Sequence, residues 1–284
     1  MNTYRWFGEG KARELHAAAL RVLAETGVEV EHEALRHRLT SVGGVPDEVT
    51  GRVRFPAQAV EAALAEAPKA LPHEGRPRIS ASTGIYQSYY AEPETGELVG
   101  FDEHKLAFYI ALAASLAVED RLWLLGLPFV PPGFSPRHIP LLERLYCWKY
   151  GAINSGSVQL TGLCEPLVEL CEARGAQTGR QLEDLFSAVG YLVSPLKLAQ
   201  PECEQMLWFA ERDLPMYIGH LPSQGGTAPV TLGGIAVLTL AEQLFLFLLH
   251  KAFRPDTPWH LSSSIVTVDM RQGAPCYGRP EQQR

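Results

Sequence analysis

The 284 residues carry 25 Lys and Arg against 32 Asp and Glu, a formal net charge of -7 at pH 7, and 46% of them are hydrophobic. This is the balance of a globular chain able to bury a core, and the scattered basic residues exclude an obvious nucleic-acid partner. Residues 1–11 lack an apolar run with a small-residue cleavage pattern, so nothing there directs export, and a cytoplasmic protein without a membrane is expected.

Helical periodicity opens the chain. Leu15, Ala19, Val22 and Leu23 share one face, and Gly27 stands where a C-terminal cap favours positive φ. A shorter helix carries Leu35 and Leu39. After Gly43 and Gly44, Val53 and Phe55 alternate with charged residues as in a strand, and Pro56 opens a helix bearing Val60 and Leu64 that stops at Pro68. Residues 1–80 therefore read as a small helical N-terminal segment.

From residue 81 to 284 the texture changes to short apolar runs alternating with helical patterns, the mark of β-α units on a parallel sheet. The runs are 123–130, 152–158, 186–193, 215–219 and 259–266. Their spacing leaves room for one helix between strands, which suits a (β/α) barrel or an open doubly wound sheet. No glycine-rich phosphate loop follows the first run, which disfavours the dinucleotide-binding version.

Residues 232–249 are almost wholly apolar and long enough to invite a transmembrane reading. Glu242 and Gln243 interrupt the stretch, and His250, Lys251 and Arg254 follow it, so a buried helix with a basic last turn is the better reading. Residues 244–249 cover every side of that helix. A second packing surface is thus required, from missing sequence or a partner subunit, and a homo-oligomer is expected. Pro280 and Glu281 read as the first turn of a helix, so the chain is expected to stop inside an element with about five of eight barrel strands present.

Several motifs carry no site. His32, Glu33 and Arg36 begin like a zinc-protease helix, but the second His falls at position 37, around the helix from the first. Cys147, Cys164, Cys171, Cys203 and Cys276 are odd in number and form no C-x-x-C pair, which fits neither a disulfide framework nor a zinc ribbon. No metal site is expected.

Polar residues at the ends of the expected strands are more informative, because parallel β-α folds gather those ends at one face. Asn154, Ser194, His220 and Ser263 hold such positions, and Gln224 with Gly226 and Thr227 lies in a polar loop whose glycines admit a ligand to the backbone. Asp269 and Glu281 are candidates for the far side of the pocket. No residue is assigned a catalytic role.

Three segments, in order, resemble the trimethylamine and quaternary-amine corrinoid methyltransferase family. They are residues 15–28 (LHAAALRVLAETGV) with 52–69, residues 226–234 (GTAPVTLGG) leading to Ala241 and Glu242 with Ser194-Pro195-Leu196 upstream, and residues 269–281 (DMRQGAPCYGRPE). The resemblance implies an α/β fold of the (β/α)8 TIM-barrel type behind a helical N-terminal segment, here incomplete at its C-terminal end. It also implies transfer of a methyl group from trimethylamine or a glycine betaine-like amine to Co(I) of a separate corrinoid protein. The cobalamin would be carried by that partner, and none bound directly. A trimethylammonium group is best held by aromatic faces and a carboxylate, for which Phe129, Tyr86, Tyr89 and Tyr90 are candidates. The alternatives are an inactive relative serving as an interaction subunit, and a β/α-barrel lyase or isomerase.

Overall fold

The computed structural model describes residues 8–68, 88–116, 123–124, 126–151, 154–259 and 265–276. Helix α1 (Glu9–Arg21) buries Ala19 and Leu20 and runs into a π-helical turn, Val22–Thr26. The turn closes on Gly27, whose N–H donates to the Val22 carbonyl at 3.0 Å and whose φ is +68°. A Cβ there would stand 2.5 Å from the Val53 carbonyl oxygen, so both space and backbone conformation demand glycine. The chain continues through β1 (Val28–Val30), α2 (Glu33–Arg38), a 3-10 turn (Leu39–Val42), β2 (Val45–Asp47), β3 (Arg52–Arg54) and α3 (Ala57–Ala65). The expected helices, the strand at Val53 and the helix opening after Pro56 are all present; β1 was not anticipated.

Further along come β4 (Tyr89–Ala91), β5 (Leu98–Gly100), α4 (Glu103–Leu116), β6 (Trp123–Leu124), α5 (Ile139–Tyr150) and β7 (Asn154–Ser155). They are followed by α6 (Cys164–Thr178), α7 (Leu182–Leu185), β8 (Val189–Leu192), β9 (Lys197–Leu198), α8 (Gln200–Ala210) and β10 (Tyr217–His220). The last elements are β11 (Ser223–Gln224), α9 (Leu232–Phe253), β12 (Val266–Asp269) and β13 (Ala274–Cys276).

Contacts divide the chain into two compact units, one made of Met1–Pro72, Tyr191–Ala210 and Ile218–Arg284, the other of His73–Gly190 and Glu211–Tyr217. In the second unit Leu106, Ile110, Leu127, Leu142 and Cys147 form the core, flanked by Phe129, Tyr146 and Tyr150. Arg144 is fully buried there. It donates to the carbonyls of Pro140 (3.2 Å), Ser157 (2.8 Å) and Ser187 (2.8 Å), tying α5 to the segments that flank β7 and β8. Burial lowers its basicity, and these carbonyl dipoles help offset the lost hydration.

Strands appear in chain order at the first four expected runs, shorter than those runs, and the first three follow one another in parallel. β6 pairs in parallel with β7, Ser157 bridges in parallel to Val189, and β8 lies beside β10 in a two-stranded sheet. Most of the fifth run, 259–266, lies outside the described residues, as does the helix expected at Pro280. Its end begins β12, which pairs in parallel with β11 and antiparallel with β13. The class is mixed α/β, and among the described residues the strands form several small sheets without closure.

In the first unit, β1 pairs antiparallel with β3 (Val28 opposite Val53) and parallel with β9 (Val30 opposite Leu198). Helix α9 is capped by Thr231, whose hydroxyl oxygen accepts from the Gly234 N–H at 3.1 Å. Every residue from Ala241 to Leu249 is buried. The helix is long and apolar enough to cross a membrane, yet 67% of its most apolar window is buried inside the protein. Its second surface comes from this chain, which corrects the expectation of missing sequence or a partner: α1, α3 and the 3-10 turn pack on it. The Phe55 and Phe245 rings meet at 6.1 Å, and Lys251 reaches the Ala63 carbonyl (3.3 Å) and Glu66 (2.8 Å).

Candidate active site

Three polar residues, Thr239, Glu242 and Gln243, interrupt the apolar run of α9 at a spacing that sets them on one helical face. In front of Glu242 stand the turn Ser194-Pro195-Leu196, which follows β8, and His220, the last residue of β10. The Ser194–Pro195 peptide bond is cis, and Leu196 has a φ of +56°.

Glu242 holds these pieces together. Its Oε2 accepts from the Ser194 hydroxyl at 2.9 Å and from His220 Nδ1 at 2.7 Å, while its Oε1 accepts from the Leu196 N–H at 3.0 Å. The His220 and Glu242 side chains are both 0% exposed. Gln243 Nε2 donates to His220 Nε2 at 2.6 Å. His220 Nδ1 thus faces the carboxylate and its Nε2 faces the Gln243 amide, and Glu242 is held by a hydroxyl, a backbone N–H and an imidazole. The Leu196 carbonyl is bound in turn by the Glu29 N–H at 2.9 Å, so β1 supports the same turn from the other side.

This geometry sets limits on the chemistry. The Ser194 hydroxyl points at the carboxylate rather than at the imidazole, so no Ser-His nucleophile relay is formed. Both imidazole nitrogens are engaged. Neither is open to a metal, and among the described residues no cluster of three His, Cys, Asp or Glu could hold one. Burial pushes the Cys164 thiol up to about 11 and the Cys203 thiol up to about 12, which leaves both as unreactive core residues.

Of the residues anticipated at strand ends, Ser194 and His220 come together on Glu242. Gln224 instead organises its own loop, donating to the Val230 carbonyl at 2.7 Å, with Thr267 donating to its Oε1 at 3.5 Å. Within that loop Thr227 Oγ1 accepts from the Ser223 N–H (3.1 Å), and the Gly226 N–H donates to the Ser223 carbonyl (2.9 Å). Asp269 accepts from the Arg271 N–H at 2.8 Å and holds the turn between β12 and β13. Phe129 packs edge-on against Tyr146 in the second unit, ring centroids 5.7 Å apart. Asn154 lies in β7 opposite Trp123. Tyr90 donates to Glu92 at 3.0 Å, and Tyr89 is exposed. Ser263, Glu281 and Tyr86 lie outside the described residues.

Glu242 and Gln243 were not anticipated as site residues. Their signal was in plain view, since a carboxylate and an amide inside a long apolar run need partners once buried. A second cluster ties α4 to α5. Glu103 accepts from Lys149, from the Tyr150 hydroxyl at 2.5 Å and from the Tyr146 hydroxyl at 3.1 Å, and these donors bring its carboxyl down to about 2.

The chain is similar in sequence to several known methyltransferases. The trimethylamine methyltransferase family model matches residues 153–284. The chain is 26% identical over 289 residues to a glycine betaine methyltransferase of Desulfitobacterium hafniense, covering 98% of this chain and 60% of that protein. It is 24% identical over 299 residues to the trimethylamine methyltransferase MttB2 of Methanosarcina mazei, covering 97% of this chain and 58% of that one. A shorter match, 28% identical over 107 residues, joins 38% of the chain to 22% of the trimethylamine methyltransferase MttB of Methanosarcina thermophila. The chain thus spans about 60% of the length of the relatives it matches end to end.

Proposed function

We propose, on the premise that residues 153–284 form a trimethylamine methyltransferase family domain, that the protein moves a methyl group from a methylated amine to the Co(I) of a separate corrinoid protein. The observation that carries this reading is the end-to-end similarity to a glycine betaine methyltransferase, which spans 98% of the chain. The parallel order of β6, β7 and β8 suits a (β/α)8 barrel as the scaffold. In the reaction the nitrogen–methyl bond breaks with its electron pair going to nitrogen, and cobalt supplies the pair of the new bond. The protein's task is to hold the amine so that its methyl group meets cobalt in line.

A quaternary amine leaves neutral and needs no proton, whereas a tertiary amine needs one or an equivalent activation. The acidic and basic groups at the site are committed to one another, with Ser194 and His220 on Glu242 and Gln243 on His220, which favours a quaternary donor. The corrinoid enters as a substrate on its own protein. Mixing the purified protein with a reduced corrinoid protein and glycine betaine should convert the Co(I) spectrum to that of methylcobalt(III). Unchanged Co(I) with glycine betaine, trimethylamine and a panel of other methylamines would reject the reading.

A further inference from the structure

The strand alternation at the site divides its residues between two faces. Leu192 and Ser194 of one segment and Ile218 and His220 of the other are buried, and Ser194 and His220 both reach Glu242 on α9. Side chains alternate along a strand, so Tyr191 and Val193 point the other way, and they are 46% and 50% exposed. Gly219 presents its bare α-carbon on that same face. A Cβ built there would stand 3.3 Å from the Tyr191 ring.

A glycine inside a strand, with ordinary backbone angles and a neighbouring aromatic ring laid against it, marks a place where something approaches the backbone closely. The charge behind the strands says what kind of ligand fits. Glu242 is a buried carboxylate whose hydrogen-bond partners, among the described residues, are a hydroxyl, a backbone N–H and an imidazole, with no Lys or Arg. A carboxylate behind the strands disfavours an anionic ligand and favours a cation. An exposed tyrosine face attracts a cation through its quadrupole and needs no hydrogen bond from it, which suits an ammonium whose protons are replaced by methyl groups.

We propose that Tyr191, laid over Gly219, is the aromatic wall that receives the trimethylammonium end of a ligand, with the Glu242 carboxylate behind the strands adding to the preference for positive charge. The proposal rests on the methylated-amine reading and assigns its substrate contact to the face opposite Ser194 and His220.

Binding alone tests it, without corrinoid. Isothermal titration of the protein with choline and with its uncharged tert-butyl analogue should show binding of choline only. Tyr191→Phe should keep the affinity within about twofold, and Tyr191→Leu should weaken it about tenfold or more. Gly219→Val, which crowds the ring, should weaken it as well. Circular dichroism guards against misfolding, which is not expected at a half-exposed position. The proposal is overturned if the protein binds no choline, if the tert-butyl analogue binds equally well, or if the Leu variant binds like the original. Tyr191-dependent choline binding without methyl transfer would sink the transfer reading alone, and transfer undisturbed by Tyr191→Leu would sink only this one.

Discussion

Glu242 is the residue on which the most geometry converges, because one buried carboxylate satisfies a hydroxyl, a backbone N–H and an imidazole from two separate turns of chain. Glu242→Gln retains the shape but leaves one oxygen to serve three donors, and the new amide protons face donors. We expect a loss of about 1 to 3 kcal/mol, the cost of one buried group left unsatisfied. Glu242→Leu removes every acceptor and should cost about 3 kcal/mol or more, because three buried donors are left unsatisfied at about 1 to 3 kcal/mol each. Urea denaturation of the three proteins measures both. Equal stability of all three would mean that water reaches these donors and that the network is open to solvent.

At the scale of elements, α9 is held by the N-terminal helices, and Phe55 is the side chain that joins the small sheet to it. Fully buried against Phe245, it should cost about 3 to 5 kcal/mol when replaced by Ala, read as a lower thermal and urea midpoint. A change under about 1 kcal/mol would mean that the segment is loosely docked. Much of this scaffold was legible, since α1 and α3 announce themselves by period and α9 by the length of its apolar run, Pro56 opens a helix and Gly27 ends one. The pairing of β1 with β9 was not. Those strands are three and two residues long and lie far apart in the chain, so neither period nor turn chemistry links them. The site was half legible for a related reason. Ser194 and His220 were found by their places at strand ends, but these short runs carry apolar residues on both faces, and the sequence does not disclose which face a given residue takes. The structure turns both toward α9.

For the whole molecule, the first unit is assembled from three stretches, with the N-terminal residues packed on a helix more than 200 positions later. Its stability is therefore a property of distant segments rather than of any continuous piece. A chain shortened to begin after residue 68 would lose α1, α3 and the Phe55 contact at once, along with the strand that binds the Leu196 and Leu198 carbonyls. That would uncover a 22-residue helix long and apolar enough to cross a membrane, and exposed apolar surface of that extent drives association. The shortened protein should bind an apolar dye strongly, sediment as aggregates or require detergent, while the full chain does neither. Adding the separate 8–68 segment should reverse part of the dye binding, because the surface it covers is formed by α9 and β9. A shortened chain that stayed monomeric and dye-free would show that α9 finds its cover elsewhere, and that the N-terminal helices are not what keeps it from water.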